Sequence, residues 1–399
     1  MRSLFILADD LTGALDSAVQ FAPRNIPVTV LPFFSDREDY DGVQAEVLVQ
    51  NLDSRHLPAE EAAALVKAAV QKARAAGFRR FYKKTDSALR GNVGSELEAL
   101  LNALQAEQLD FVPAYPEMGR TTRDGVQLMK GVPIHQTDFR LDPFEPVRES
   151  SVLRIIAAQS AVPCALGEWN PNQKGIRVHD CATDEEMLSI ATRLFQQNDL
   201  YCCAGCAGFA KAIAEVLPLE VGAVSGEKPP EHLLVVCGSV NPASTAQLSY
   251  AEQKGFRRFT LDSSLWGEEL PLGEQEIADL VKSSGQGHSL ILDMKGDGEA
   301  KLLHPNLQAA TCLAAAAFQL LKAGLNATVL ATGGDTLSAL LKYLNCERIT
   351  VMGAVEEGIV LSGCETAWGH LSMISKAGSF GRFTLLEEIQ NALQGERLL

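Results

Sequence analysis

Short apolar, β-branched runs that stop abruptly at small or polar residues, each followed by an Ala/Leu-rich segment, recur through most of this chain. "FILA" meets "DDLTGALDSA", "AEVLVQ" meets "NLDSRHLP", "HLLVVC" meets "GSVNPAS" and "TVLA" meets "TGGDTLSALL". This alternation restricts the fold to an α/β class with largely parallel sheets flanked by helices. Parallel neighbours need a crossover segment, and strands buried on both faces read as continuous apolar runs. The spacing predicts a helix from about Gly13 to Phe21. It predicts a second between Pro58 and Gly77, with Ala62, Leu65, Val66, Ala69 and Ala73 on one face. "VQLMKGVPIH" predicts a hairpin turning at Lys130-Gly131. At 399 residues two domains are expected. The rhythm breaks at "VSGEKPPEH", Val224 to His232, placing the domains at 1–228 and 229–399.

Composition narrows the function. A formal charge of -15 opposes unaided binding to a phosphate backbone, so nucleic acid is not an expected partner. No run approaches the roughly 18 apolar residues of a membrane span, and "LFILA" is cut short by Asp9 and Asp10, which suits a strand better than an export signal. Of nine cysteines only "CCAGC" clusters, without a paired C-x-x-C frame. No metal site built from protein ligands is expected, and reduced, buried thiols in a cytoplasmic protein are.

Parallel sheets bind ligands beyond the carboxyl ends of their strands, so polar residues just after apolar runs are the candidates. The first junction offers Asp9, Asp10 and Asp16: hydroxyl acceptors for a polyol, or a base for a phosphoryl acceptor. The plain alternative is one helix cap with solvated neighbours. "NLDSRHL" offers Asp53, Ser54 and Arg55. "KKTDSALRGNVGSE" gathers Lys83, Lys84, Asp86, Arg90 and Asn92 ahead of a helix expected near Ser95, an arrangement suited to a carboxylate or phosphate. The plain alternative there is that Arg90 pairs with Glu96. "GRTTRDG" adds Arg120, Thr121, Thr122 and Arg123, or simply a polar loop before the hairpin.

The second half carries glycine loops instead. They are Gly238-Ser239 before "NPAS", Gly333, Gly334, Asp335 and Thr336 before a helix, and "SKAGSFG" with Lys376 and Gly378. Glycines let a phosphate approach the backbone, and a following helix N-terminus supplies free amides. Together they suggest a nucleotide, although neither the P-loop nor the dinucleotide fingerprint occurs.

In their order, "ADDLTGALDSA", "NLDSR", "KKTDSALRGNVGSEL", "PAYPEMGRTTRDGVQLMKGVPIHQTDF", "CGSVNPAS", "ATGGDTLSALL" and "SKAGSFG" resemble the four-carbon acid sugar kinases. The forms "ADDLTGALD" and "KKTDSALRGN" look like the branch acting on D-threonate or D-erythronate. The resemblance implies an N-terminal sugar-acid domain, a C-terminal ATP domain, an active site in the cleft between them, and transfer of the γ-phosphoryl to the C4 hydroxyl with Mg²⁺. By position, Asp10, Arg55, Lys84, Asp86 and Arg90 match substrate-side motifs; Ser239, Gly333 to Thr336 and Gly378 match nucleotide-side motifs. Asp10, with Asp9 and Asp86, is the expected catalytic group. Asp16, Ser54, Arg55, Lys84, Arg90 and Arg120 are the expected substrate contacts; Ser239, Gly333, Gly334, Asp335, Thr336, Lys376 and Gly378 the nucleotide contacts. A homodimer is left open. The rival readings are a 3-oxo-tetronate kinase of the same family, a ribokinase-type sugar kinase and a non-catalytic sugar-acid sensor.

Overall fold

The computed structural model describes residues 3–35, 40, 43, 45–142, 145–167, 174–197, 200–222, 228–266, 268–294, 305–378 and 380–395. The chain divides into two compact units, 1–223 and 224–399. Of the Val224–His232 stretch, residues 224–227 lie outside the described residues.

The first unit begins with β1 (Leu4–Ala8), α1 (Leu11–Val19), β2 (Val28–Leu31), β3 (Val47–Asn51), α2 (Ala59–Ala75), β4 (Arg80–Lys84), α3 (Val93–Leu104) and β5 (Gln108–Val112). Three short strands follow, β6 (Arg120–Arg123), β7 (Val126–Met129) and β8 (Val132–Pro133). The unit closes with α4 (Val152–Ala157), β9 (Cys164–Leu166), β10 (Gly175–Val178), α5 (Asp184–Gln196), β11 (Cys202–Gly205) and α6 (Ala207–Val216). Its main sheet runs β2-β3-β1-β4-β11-β5-β10-β9, every neighbouring pair parallel.

All five β1 residues are buried, and Phe5 packs against Tyr40, Phe78 and Phe81. Each such side chain contributes about 1.5–3 kcal/mol of transfer free energy. Helix α2 buries Ala62, Val66, Ala69, Val70 and Ala73, with Leu65 partly covered at the edge. Glu60 and Glu61 lie in its first turn and Lys72 and Arg74 in its last, matching the helix dipole. Gly77, at φ +95°, ends it.

Helix α1 starts two residues before the expected Gly13 because Asp10 caps it, its side chain accepting from Gly13 N. Helix α3 likewise begins at Val93 rather than near Ser95. Arg120–Arg123 forms a strand, not a loop: β6, β7 and β8 make a separate antiparallel sheet. No apolar residue marks β6, so its pattern was hidden; it is held instead by the buried hydrogen bond from Thr122 Oγ1 to Gln127 Oε1, 2.7 Å. The expected turn at Lys130-Gly131 is present with both residues at positive φ, and Asp124-Gly125 makes a second of the same kind.

The second unit contains β12 (Leu233–Cys237), α7 (Pro242–Gln253), β13 (Arg257–Leu261), α8 (Glu274–Gly285), β14 (Leu290–Met294) and α9 (Pro305–Lys322). It continues with β15 (Thr328–Thr332), α10 (Gly334–Tyr343), β16 (Cys346–Glu356), β17 (Ile359–Thr366), β18 (Gly369–Lys376) and α11 (Leu385–Gln394). Strands β13-β14-β12-β15-β18 are parallel, and β18-β17-β16 form an antiparallel meander. All nine cysteines are free thiols, eight of them buried.

Candidate functional site

In the first unit the carboxyl ends of β1, β3 and β4 lie side by side, with Ala8 in register with both Asn51 and Lys84. The loops leaving these strands hold one continuous charged network. Arg55 is its hub: Nε donates to Asp9 Oδ2 at 2.8 Å, Nη2 lies 2.7 Å from Asp10 Oδ1, and the same nitrogen is 3.9 Å from Asp86 Oδ1. Asp86 takes Arg90 in a bidentate fork, 2.9 Å to each oxygen. Arg90 Nη1 in turn donates to Asp142 at 2.8 Å.

Burial alone would raise the Asp9 and Asp86 carboxyls. Instead Arg55, Lys83 and Lys84 hold Asp9 below the ordinary carboxylate range, and Arg90 and Arg55 hold Asp86 well below it. Burial likewise opposes the Lys84 charge, yet Asp9 and Asp10 outweigh it and raise the ammonium, with Asp16 adding to the effect. A Cβ on Gly13 would lie 2.5 Å from Asp10 Oδ1 and 2.6 Å from Lys84 Nζ; only glycine lets the two approach α1 so closely.

A second layer fixes the loop that carries Arg55. Ser54 N and Arg55 N donate to Asp9 O, and Asn92 Nδ2 donates to Ser54 O and Leu57 O. Ser54 Oγ donates to Glu96 Oε1 and so serves the scaffold, while Glu96 Oε2 pairs with buried Lys83 at 3.0 Å. Burial raises the Glu96 carboxyl above its usual range. The plain pairing of Arg90 with Glu96 does not occur. Nor is Asp9 solvated: its side chain is 4% exposed against 22% for Asp10.

Arg120 is brought to the network by an aromatic ring. Its guanidinium lies 5.8 Å from the centroid of Phe139 and that of Arg90 5.3 Å. Sequence reading missed Phe139, Asp142 and the Glu96–Lys83 pair. Phe139 and Asp142 come from a loop some fifty residues along the chain, with no local signal; Glu96 was visible only as an ordinary acidic residue in a helix start. Of the nine buried side-chain polar atoms without a hydrogen-bond partner among the described residues, two belong to these site side chains: the acceptor Asp9 Oδ1 and the donor Arg120 Nε. Such atoms are costly unless a ligand engages them.

The second unit aligns its glycine loops in the same way. Cys237 is in register with Thr332, and Thr332 with Lys376, so β12, β15 and β18 end level. A Cβ on Gly238 would meet Thr336 Oγ1 at 2.2 Å, and one on Gly378 would meet Ser239 Oγ at 2.3 Å. Gly333 sits at φ +100° and begins α10 without a side-chain cap, leaving first-turn amides for an anion. Asp335 is exposed in that first turn.

Lys376, read from sequence as facing a phosphate, is turned under its own loop. Its Nζ donates to Ala377 O at 3.1 Å and Phe380 O at 3.2 Å. Burial lowers it to about 8. Ser244 Oγ donates to Gly378 O and Gln247 Nε2 to Phe380 O and Gly381 O, bracing the same loop from α7. Ser379 of "SKAGSFG" lies outside the described residues. Among the described residues no group of three or more His, Cys, Asp or Glu side chains is arranged to hold a metal ion, and no helix is long and apolar enough to cross a membrane.

A charged network on one parallel sheet and glycine loops on another are the arrangement a phosphotransferase needs. Comparison with known families agrees: a sugar-binding N-terminal domain matches residues 4–213 and a nucleotide-binding C-terminal domain matches 234–386. The chain belongs to the four-carbon acid sugar kinase family. It is 30% identical to a D-threonate kinase of Bordetella bronchiseptica, over 98% of each chain. It is 28% identical to a 3-oxo-tetronate kinase of Cupriavidus necator, over 98% of this chain and 96% of that one. A crystal structure of a Salmonella typhimurium LT2 protein superposes with a TM-score of 0.78 at 18% identity, covering 99% of this chain and 100% of that one; that likeness is one of fold.

Proposed function

We propose that this enzyme transfers the γ-phosphoryl group of ATP to the C4 hydroxyl of a four-carbon sugar acid, D-threonate or D-erythronate. The observation that carries the reading is the pair of orphaned buried atoms within one network, an acceptor on Asp9 and a donor on Arg120. A sugar acid supplies the complement of both, hydroxyl donors and a carboxylate acceptor. In this reading Arg90, Arg120, Lys84 and Arg55 hold the carboxylate end. Asp10, the most exposed of the aspartates paired with Arg55, orients the C4 hydroxyl and takes its proton. Asp86 acts by fixing Arg90 and Arg55, and Asp9 and Asp16 receive the remaining hydroxyls.

On the nucleotide side, amides around Gly333, Gly334 and Gly378 receive phosphate oxygens, with Ser239 and Thr336 lining the cradle. Lys376 shapes the loop from beneath. Mg²⁺, when bound, neutralises phosphate charge during an in-line transfer. The exposed Asp335 carboxylate suits it through water, as expected for a cation that keeps part of its hydration shell.

The test is coupled ADP release with D-threonate, L-threonate, D-erythronate, L-erythronate and 3-oxo-tetronates as acceptors. Highest kcat/KM on D-threonate or D-erythronate is expected. Preference for a 3-oxo-tetronate would move the enzyme to the other branch, and no turnover with any acceptor would overturn the proposal.

A further inference from the structure

The amino ends of the first unit's strands, opposite the edge that carries Asp10 and Asp86, hold a separate pocket of about 570 Å³. Arg74 enters it from the last turn of α2, and Arg79 and Arg80 where the chain passes into β4; Phe78, Phe81 and Tyr201 complete much of its lining. None of the described lining residues is acidic. Arg74 and Arg79 are exposed there and Arg80 half-buried, whereas Arg55, Arg90 and Arg177 elsewhere in this unit sit against carboxylates. Arg74 Nη1 donates to Ala103 O at the end of α3, 3.2 Å, which accounts for that side chain as a helix-terminus contact. Among the described residues no carboxylate pairs with Arg79 or Arg80.

Three guanidinium groups around one pocket repel one another, and an anion with several oxygens relieves that repulsion while matching their planar forks. Phe78 and Phe81 are 3% and 2% exposed, while Tyr201 at the rim is 37% exposed; the guanidinium groups are what the pocket offers a ligand. We infer that this pocket binds a small phosphate-bearing anion of two or more charges, at a site separate from the one that takes the sugar acid. The source of that anion is either inorganic phosphate chemistry or a phosphorylated hydroxy acid.

The experiment is titration calorimetry in about 0.15 M salt, with pyrophosphate and 3-phosphoglycerate as separate probes, on the intact chain. The Arg79→Gln/Arg80→Gln variant is expected to lose at least about tenfold in affinity for the preferred probe, and Arg79→Lys/Arg80→Lys to retain part of it. Arg79→Gln alone guards against disturbance of β4, with circular dichroism confirming the fold. Arg90→Ala should leave this binding unchanged. Tighter binding of 3-phosphoglycerate identifies a phosphorylated acid; tighter binding of pyrophosphate identifies inorganic phosphate chemistry. Wild-type affinity in the double Gln variant, no binding of either probe to wild type at millimolar concentration, or loss of binding in Arg90→Ala would each overturn the inference. Failure of the kinase reading would appear in ADP release and leave these titrations untouched.

Discussion

Asp10 and Asp86, beyond the ends of the neighbouring strands β1 and β4, show how two aspartates in one network take different work from their surroundings. Asp10 is capped onto α1, receives Thr12 Oγ1 and Arg55, and still keeps a solvent-facing side. Asp10→Asn is expected to lower kcat about 10²- to 10⁴-fold, the usual worth of a positioned base, with the thermal midpoint little changed; near-normal turnover would remove it from the proton-transfer role. Asp86 is enclosed by Arg90 and Arg55 and held well below the usual carboxylate range. A carboxylate depressed in the folded state stabilises above its unfolded pKa of about 4 and loses that contribution as pH falls. Asp86→Asn should therefore cost about 3 kcal/mol at neutral pH, the order of breaking a buried pair. The gap between variant and wild type should narrow from about pH 4 downward in urea titrations. A gap that stays constant from pH 7 to pH 3 would contradict the assignment.

At the scale of elements, the loop after β3 has little apolar anchorage and depends on its neighbours. Asn92, at the start of α3, binds two of its carbonyls, and Gly91 admits Arg55 so closely that a Cβ would stand 2.9 Å from Arg55 Cγ. Asn92→Ala should lower unfolding free energy by about 1–3 kcal/mol and raise KM for the sugar acid with less effect on KM for ATP, measured by denaturant titration and initial rates. The strand-to-helix junctions were legible in sequence because alternation of period and a polar stop mark them. Strand β6 was not, since Thr-Thr between arginines carries no apolar signal and only its neighbours, β7 and the backbone bridge from Thr122 to Cys181, make it extended. The placement of Lys376 was not legible either: a lysine in a glycine loop suggests a phosphate, and only the loop's path shows its carbonyls closing over the ammonium.

For the whole molecule, the proposed reaction divides between the two units, side-chain charge on one and backbone amides on the other, and the division is testable as opposite kinetic effects. Arg90→Ala should raise KM for the sugar acid far more than for ATP. Gly378→Ala, whose new methyl would press on Ser239 Oγ at 2.3 Å, should do the reverse. Matching changes in both constants for either variant would sink the division. By itself the sequence determined the α/β class, the succession of strand-end junctions and the family, because these depend on local period, turn chemistry and ordered motifs. Tertiary structure alone decided which charges meet. Arg55 gathers Asp9, Asp10 and Asp86, Glu96 turns to Lys83 and not to Arg90, and Phe139 brings Arg120 beside Arg90. Arg55 lies tens of positions from the carboxylates it gathers, and the parallel register of β1, β3 and β4, which no local pattern encodes, brings them to one edge of the sheet; Arg120 arrives on the separate antiparallel sheet.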